Sequence, residues 1–184
     1  MLKFYYRIAL IITLIVAALA NMSCDSNNKG QKVDNVDRKQ LKKEVEEANR
    51  NLVKLEQEVI DEYVKKSGVE FVKSGTGLRY YIENEGDGEL IKHGDIVTME
   101  YVSCLLNGDT LYSSKEDGLK VFMVGRGGVE SGLEEAVLNL RKGNEAEIVI
   151  PSYLAHGLIG DGNRIPPKST IVYKVKIIDN QTNK

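Results

Sequence analysis

The sequence predicts an α+β architecture: a curved antiparallel β-sheet wrapped around one short α-helix, preceded by a separate N-terminal helix. Three observations carry this. After Gly75 apolar and polar residues alternate in successive short segments, the period of strands with one wet face. One segment departs from that period, with Leu133, Ala136, Val137 and Leu140 at i, i+3, i+4 and i+7. Upstream, residues 37–68 carry a stripe of apolar residues through a run of charges. A one-sided sheet needs a cover and an amphipathic helix needs a surface, so the sheet is expected to close around the Leu133 helix.

The N-terminus reads as an address. Lys3 and Arg7 precede the apolar run Ile8–Ala20, which is interrupted only by Thr13. That run is short for a bilayer-spanning helix, which takes about 20 residues. Asn21 and Met22 follow and lead to Ser23-Cys24, an order that resembles the lipobox of bacterial lipoproteins. The resemblance implies removal of residues 1–23 and acylation of Cys24. Residues 24–36 are polar and are expected to form a flexible tether.

Residues 37–68 are expected to form a charged amphipathic helix. Asp37 and Gln40 suit its start, and Lys65, Lys66 and Gly68 suit its end. Leu41, Val45, Ala48, Leu52, Leu55 and Val59 recur at alternating spacings of four and three. That stripe either packs on the chain's own domain or pairs with a second copy, making a homodimer.

The remaining domain, residues 69–184, holds the strands. Leu78, Tyr80 and Ile82 face one way, with Arg79, Tyr81 and Glu83 on the wet side. Val97, Met99 and Tyr101 repeat the pattern, as do Ala146, Ile148 and Ile150, and then Ile171, Tyr173, Val175 and Ile177. Turn signals separate the segments at Gly86-Asp87-Gly88, His93-Gly94-Asp95 and Asn107-Gly108-Asp109. Ser131 and Glu134 read as a capping box for the Leu133 helix, and Gly143 as its stop.

Composition excludes several functions. The 184 residues carry 25 Lys and Arg against 27 Asp and Glu, without the clustered basic excess of a nucleic-acid binder. His93 and His156 show no ligand-type spacing with Cys104, so no metal site is expected. Cys104, in a strand pattern, reads as a small buried hydrophobe.

Four stretches complete the pattern: GTGLRYYIENEGDGELIKHGDIVTMEY, LLNGDTLYSS, FMVGRGGVESGLEEAVLNLRKGNEAEIVIPS and AHGLIGDGNRIPPKSTIVYKVKI. In order, spacing and turn glycines they resemble the FKBP family of peptidyl-prolyl cis-trans isomerases, from about Gly75 to Asp179. With the N-terminal features, the whole is similar to the lipidated envelope isomerases of bacteria, including gliding-motility-associated lipoproteins. The resemblance implies rotation about X–Pro bonds (EC 5.2.1.8) in exported protein segments, with the domain in the periplasm and the anchor in a membrane, the outer one favoured. It implies a chemistry that needs no cofactor, with catalytic roles for Tyr101, His156 and Tyr173. It further implies substrate contacts at Leu111, Tyr112, Phe122, Val129, Glu130, Leu133 and Ile165.

Some positions depart from the family's pattern. Tyr112 stands where the family has a pocket acid, next to Leu111 in place of an aromatic. His156 replaces a loop Tyr whose hydroxyl donates to substrate. Glu130 replaces an apolar residue whose backbone N–H contacts ligand, and Lys120 falls near another aromatic position. These departures keep a second function open: a non-catalytic binding module or chaperone subunit of an envelope complex.

Overall fold

The computed structural model describes residues 35–181, with side chains from Arg38 onward. The signal segment, Cys24 and the tether up to residue 34 lie outside them. The chain divides into two units, 1–45 and 46–184. In the first the described residues are helical, and Gln40 donates to the Glu44 carboxylate at 3.2 Å.

Helix α1 runs Asn35–Ser67, starting two residues ahead of Asp37. Seven strands follow: β1 (Val72–Lys73), β2 (Arg79–Ile82), β3 (Ile96–Leu105), β4 (Thr110–Ser113), β5 (Lys120–Met123), β6 (Glu145–Ile150) and β7 (Ile171–Gln181). Short helices α2 (Ser114–Asp117) and α3 (Ser131–Val137) and a 3₁₀ turn (Ser152–Leu154) are inserted. Every pairing is antiparallel, in the order β1-β2-β6-β7-β3-β4. Strand β3 has ten residues and divides its free edge, pairing β5 through Ile96–Met99 and β4 through Val102–Cys104. The expected α+β class, a curved antiparallel sheet around a short helix with a helix ahead of it, is the fold observed.

The core lies between the inner sheet face and α3. Leu133, Ala136 and Val137 of α3, with Leu140 beyond it, meet Leu78, Val97, Met99, Ile148, Ile150 and Ile177 of the sheet, all buried. The capping-box reading is corrected. Glu130, with extended backbone, precedes the helix, and its carbonyl accepts from the Leu133 and Glu134 N–H groups. Ser131 Oγ donates instead to the Leu154 carbonyl at 3.2 Å. Glu134 accepts from the N–H groups of Gly125 and Gly127, tying down the preceding loop. The helix also ends at Val137, well before Gly143.

The outer sheet face is not the wet surface that alternation alone suggests. Ile60 of α1 is fully buried with Val149 and Val172, and Tyr63, Val64, Phe71 and Cys104 pack at the margin. Arg79, expected on the wet side, is 2% exposed. It donates to Gln57 Oε1 at 2.8 Å, and also to Asp61 and the Gly77 carbonyl. Half-buried Glu56 accepts from Ser152 N and Thr170 Oγ1, both at 2.7 Å, and from Ser152 Oγ at 2.9 Å. The docked side of α1 is therefore the polar side carrying Glu56, Gln57, Ile60 and Asp61. Leu41, Val45, Leu52, Leu55 and Val59 of the expected stripe are 43–59% exposed.

Candidate functional site

The sheet and α3 gather the expected site residues from six segments. Tyr101 sits on β3, Leu111 and Tyr112 on β4, Phe122 on β5 and Tyr173 on β7. Val129 and Glu130 lead into α3, which carries Leu133; His156 follows the 3₁₀ turn, and Ile165 lies in the loop before β7. Tyr101, Leu111, Phe122, Leu133, Ile165 and Tyr173 are buried in one cluster, with Tyr112 and Val129 packed against it. The rings of Tyr101 and Tyr173 lie 6.0 Å apart, tilted by 41°. Register explains their proximity: Ser103 pairs with Tyr173 across β3 and β7, and Tyr101 points to the same face two residues along.

One polar centre interrupts these apolar walls. The Glu130 side chain is 7% exposed. Its Oε1 accepts from the Tyr173 hydroxyl at 2.7 Å and lies 3.1 Å from His156 Nε2. The Lys120 ammonium lies over both rings, 4.9 Å from the Tyr101 centroid and 5.7 Å from that of Tyr173, a cation–π arrangement. Burial pushes the Glu130 carboxyl upward, but the Tyr173 hydroxyl, Lys120, the residue's own backbone N–H and His156 together hold it below its ordinary value. The group is therefore an anion near neutral pH and can only accept, so His156 donates through Nε2. Burial first, and then the Glu130 charge, raises the Tyr173 phenol far above its usual range.

A second network holds the loop beside the cluster. The Tyr112 hydroxyl donates to Asp161 Oδ2, while Asp161 Oδ1 accepts from Asn163 N at 2.9 Å and Ile165 N at 2.8 Å. Burial opposes ionisation of Asp161, but the Tyr112 hydroxyl and the two backbone N–H groups outweigh it and lower its pKa to about 2. The Arg164 guanidinium stacks 4.9 Å from the Tyr112 ring centroid and donates to the Leu111 carbonyl at 2.9 Å. Gly160 has φ +71°, and a Cβ there would overlap the Ile165 carbonyl. That close approach requires glycine where the loop folds back.

The structure thus brings together all ten expected contact residues and adds three the sequence reading did not assign: Lys120 as a ring-stacked cation, Asp161 as the partner of Tyr112, and Arg164. Glu130 also differs from its expected role. Its side chain, and not only its backbone, belongs to the site. The available signal was the simultaneous polar replacement of apolar or aromatic positions at Lys120, Glu130 and His156.

Comparison with known proteins agrees with this geometry. Residues 88–178 match the family described as FKBP-type peptidyl-prolyl cis-trans isomerase. A probable FKBP-type isomerase, FkpA, of Neisseria meningitidis is 38% identical over 120 residues, covering 65% of this chain and 43% of the relative. FkpA of Escherichia coli is 34% identical over 119 residues, covering 65% of this chain and 43% of the relative. The chain thus spans under half the length of these relatives. The crystal structure of Escherichia coli FkpA superposes with a TM-score of 0.61 and 29% identity, covering 95% of this chain and 82% of that one.

Proposed function

The chain belongs to the FKBP-type peptidyl-prolyl cis-trans isomerase family, and from that premise we propose that it catalyses rotation about X–Pro bonds in exported proteins and assists their folding. The observation that carries the reading is the convergence of Tyr101, Phe122, Val129, Leu133, Ile165 and Tyr173 on one cup beside a loop held by Asp161.

The chemistry needs no nucleophile and no proton transfer. Amide resonance sets a rotation barrier of about 18–20 kcal/mol. Uncatalysed X–Pro exchange therefore takes tens to hundreds of seconds, slow enough to limit folding. The twisted amide has lost that resonance and is less dipolar than the planar one. Apolar walls therefore favour it relative to the planar ground state, and a donor aimed at its carbonyl adds to the effect.

Location and assembly extend the proposal. Acylation at Cys24 would hold the chain on a bacterial envelope membrane, the outer one favoured, with the domain in the periplasm. The exposed stripe from Leu41 to Val59 supports pairing of two copies through α1. A second reading, a non-catalytic binding module, is supported by the departures from the family's pattern at Tyr112, Glu130 and His156.

NMR exchange on a proline tetrapeptide separates the two readings. Catalytic amounts of the full chain should speed exchange between the cis and trans signals. Shifted peptide signals with an unchanged exchange rate would favour the binding module.

A further inference from the structure

Glu130 Oε2 is a buried acceptor without a hydrogen-bond partner, on a side chain 7% exposed. Its twin oxygen is occupied twice, by Tyr173 and His156, and Oε2 itself is shielded from solvent. A buried charge left half-paired is costly, and a protein retains one where something else completes it.

Lys120 is the nearest candidate within the chain. Its ammonium attracts the carboxylate, but it is placed over the rings of Tyr101 and Tyr173 and makes no ion pair with Glu130 among the described residues. A ring-stacked lysine of this kind is held by only about 0.5–1 kcal/mol when exposed and about 2 when desolvated. A flexible side chain so held yields to a ligand that brings its own cation to the carboxylate.

We propose that Glu130 is a specificity-determining residue, and that the cup prefers proline segments with a lysine or arginine directly beside the proline. The inference rests on the isomerase reading of the same site and names its substrate class. A cationic side chain next to the proline supplies the N–H donor that Oε2 lacks. An acidic neighbour would bring a second anion to a buried one. An aliphatic neighbour would leave Oε2 unpaired, as it is in the free protein.

The test measures kcat/KM with the full chain in detergent on two peptide series. One varies the residue before proline and the other the residue after it, each through Lys, Arg, Leu and Glu. A charge-assisted hydrogen bond to a buried group corresponds to at least about tenfold. Wild type should therefore favour Lys or Arg over Leu by about tenfold in one series, with Glu poorest. Glu130→Gln, which keeps the shape and an acceptor for Tyr173, should bring the Lys-to-Glu ratio close to one. A ratio within one enzyme is unaffected by partial loss of folded protein, so a purely structural role for Glu130 would not move it.

If wild type shows no cationic preference in either series, or if Glu130→Gln retains it, the inference is wrong. If no peptide is turned over, the isomerase reading fails instead. Dissociation constants for the same peptides, from fluorescence anisotropy, then decide the preference on the same criteria.

Discussion

Glu56 and Glu130 are both carboxylates enclosed by hydroxyl and N–H donors, yet their bonding differs. Both oxygens of Glu56 are occupied, by Ser152 N, Ser152 Oγ and Thr170 Oγ1, and the result ties α1 to the 3₁₀ turn and to the start of β7. Glu130 places Tyr173 and His156 on one oxygen and leaves the other unpaired. A fully paired carboxylate holds elements together, and a buried half-paired one keeps an interaction in reserve for a ligand. The α1 seam is therefore structure, and the cup is the proposed binding site.

Breaking the seam should have the largest effect on stability. Removing α1 to leave residues 69–184 takes away Ile60, uncovers Val149 and Val172, and strips Arg79 of Gln57 and Asp61. Loss of a buried Ile alone costs about 2–5 kcal/mol, so urea melting of the fragment should show at least that fall. An unchanged midpoint would make the seam decorative.

Arg79→Ala comes next. It leaves Gln57 Oε1 without its donor and takes one of two donors from the Gly77 carbonyl, which keeps Gln57 Nε2, while the bond to Asp61 adds little because that carboxylate is half in water. A fall of about 2 kcal/mol is expected in the same melts, from lost charge-assisted bonds to neutral acceptors. Peptide preference should stay as in wild type. Glu56→Gln should cost less, about 1 kcal/mol, because the amide oxygen still accepts from two of the three donors.

The smallest effect is on the acid limb. The folded pKa of Asp161 is about 2, below its unbound value of 3.8. A depressed pKa means that the group contributes stability above pH 3.8 and loses it as pH falls towards 2. The loop from Asp161 to Ile165 should hold its hydrogen-exchange protection at pH 4 and lose it towards pH 2. Asp161→Asn should weaken protection at pH 4 and converge with wild type towards pH 2; equal protection at pH 4 would show that Asp161 does not hold the loop.

The same contrast shows what the sequence could reveal. Alternation exposed the inner sheet face and the Leu133 helix, because apolar burial leaves a period. The cup positions from Tyr101 to Tyr173 were legible through their order and turn glycines. The docked side of α1 was not. It binds by pairing Glu56, Gln57 and Asp61 with Ser152, Thr170 and Arg79, and such pairing writes no hydrophobic period into either partner. The more apolar stripe from Leu41 to Val59 drew the expectation and lies exposed. The Glu130 network was hidden for a related reason: His156 and Tyr173 follow it by 26 and 43 residues, and only the fold makes them neighbours.

The proposed division of labour gives X–Pro turnover to the cup and only a structural role to the seam. NMR exchange on one Lys–Pro peptide, with wild type, Glu56→Gln and Val129→Asp at a temperature where all three are folded, tests it most directly. Wild type and Glu56→Gln should accelerate exchange alike, and Val129→Asp, which puts a charge on the apolar wall, should lose at least about tenfold. Equal acceleration by Val129→Asp, or none by wild type, would contradict the account.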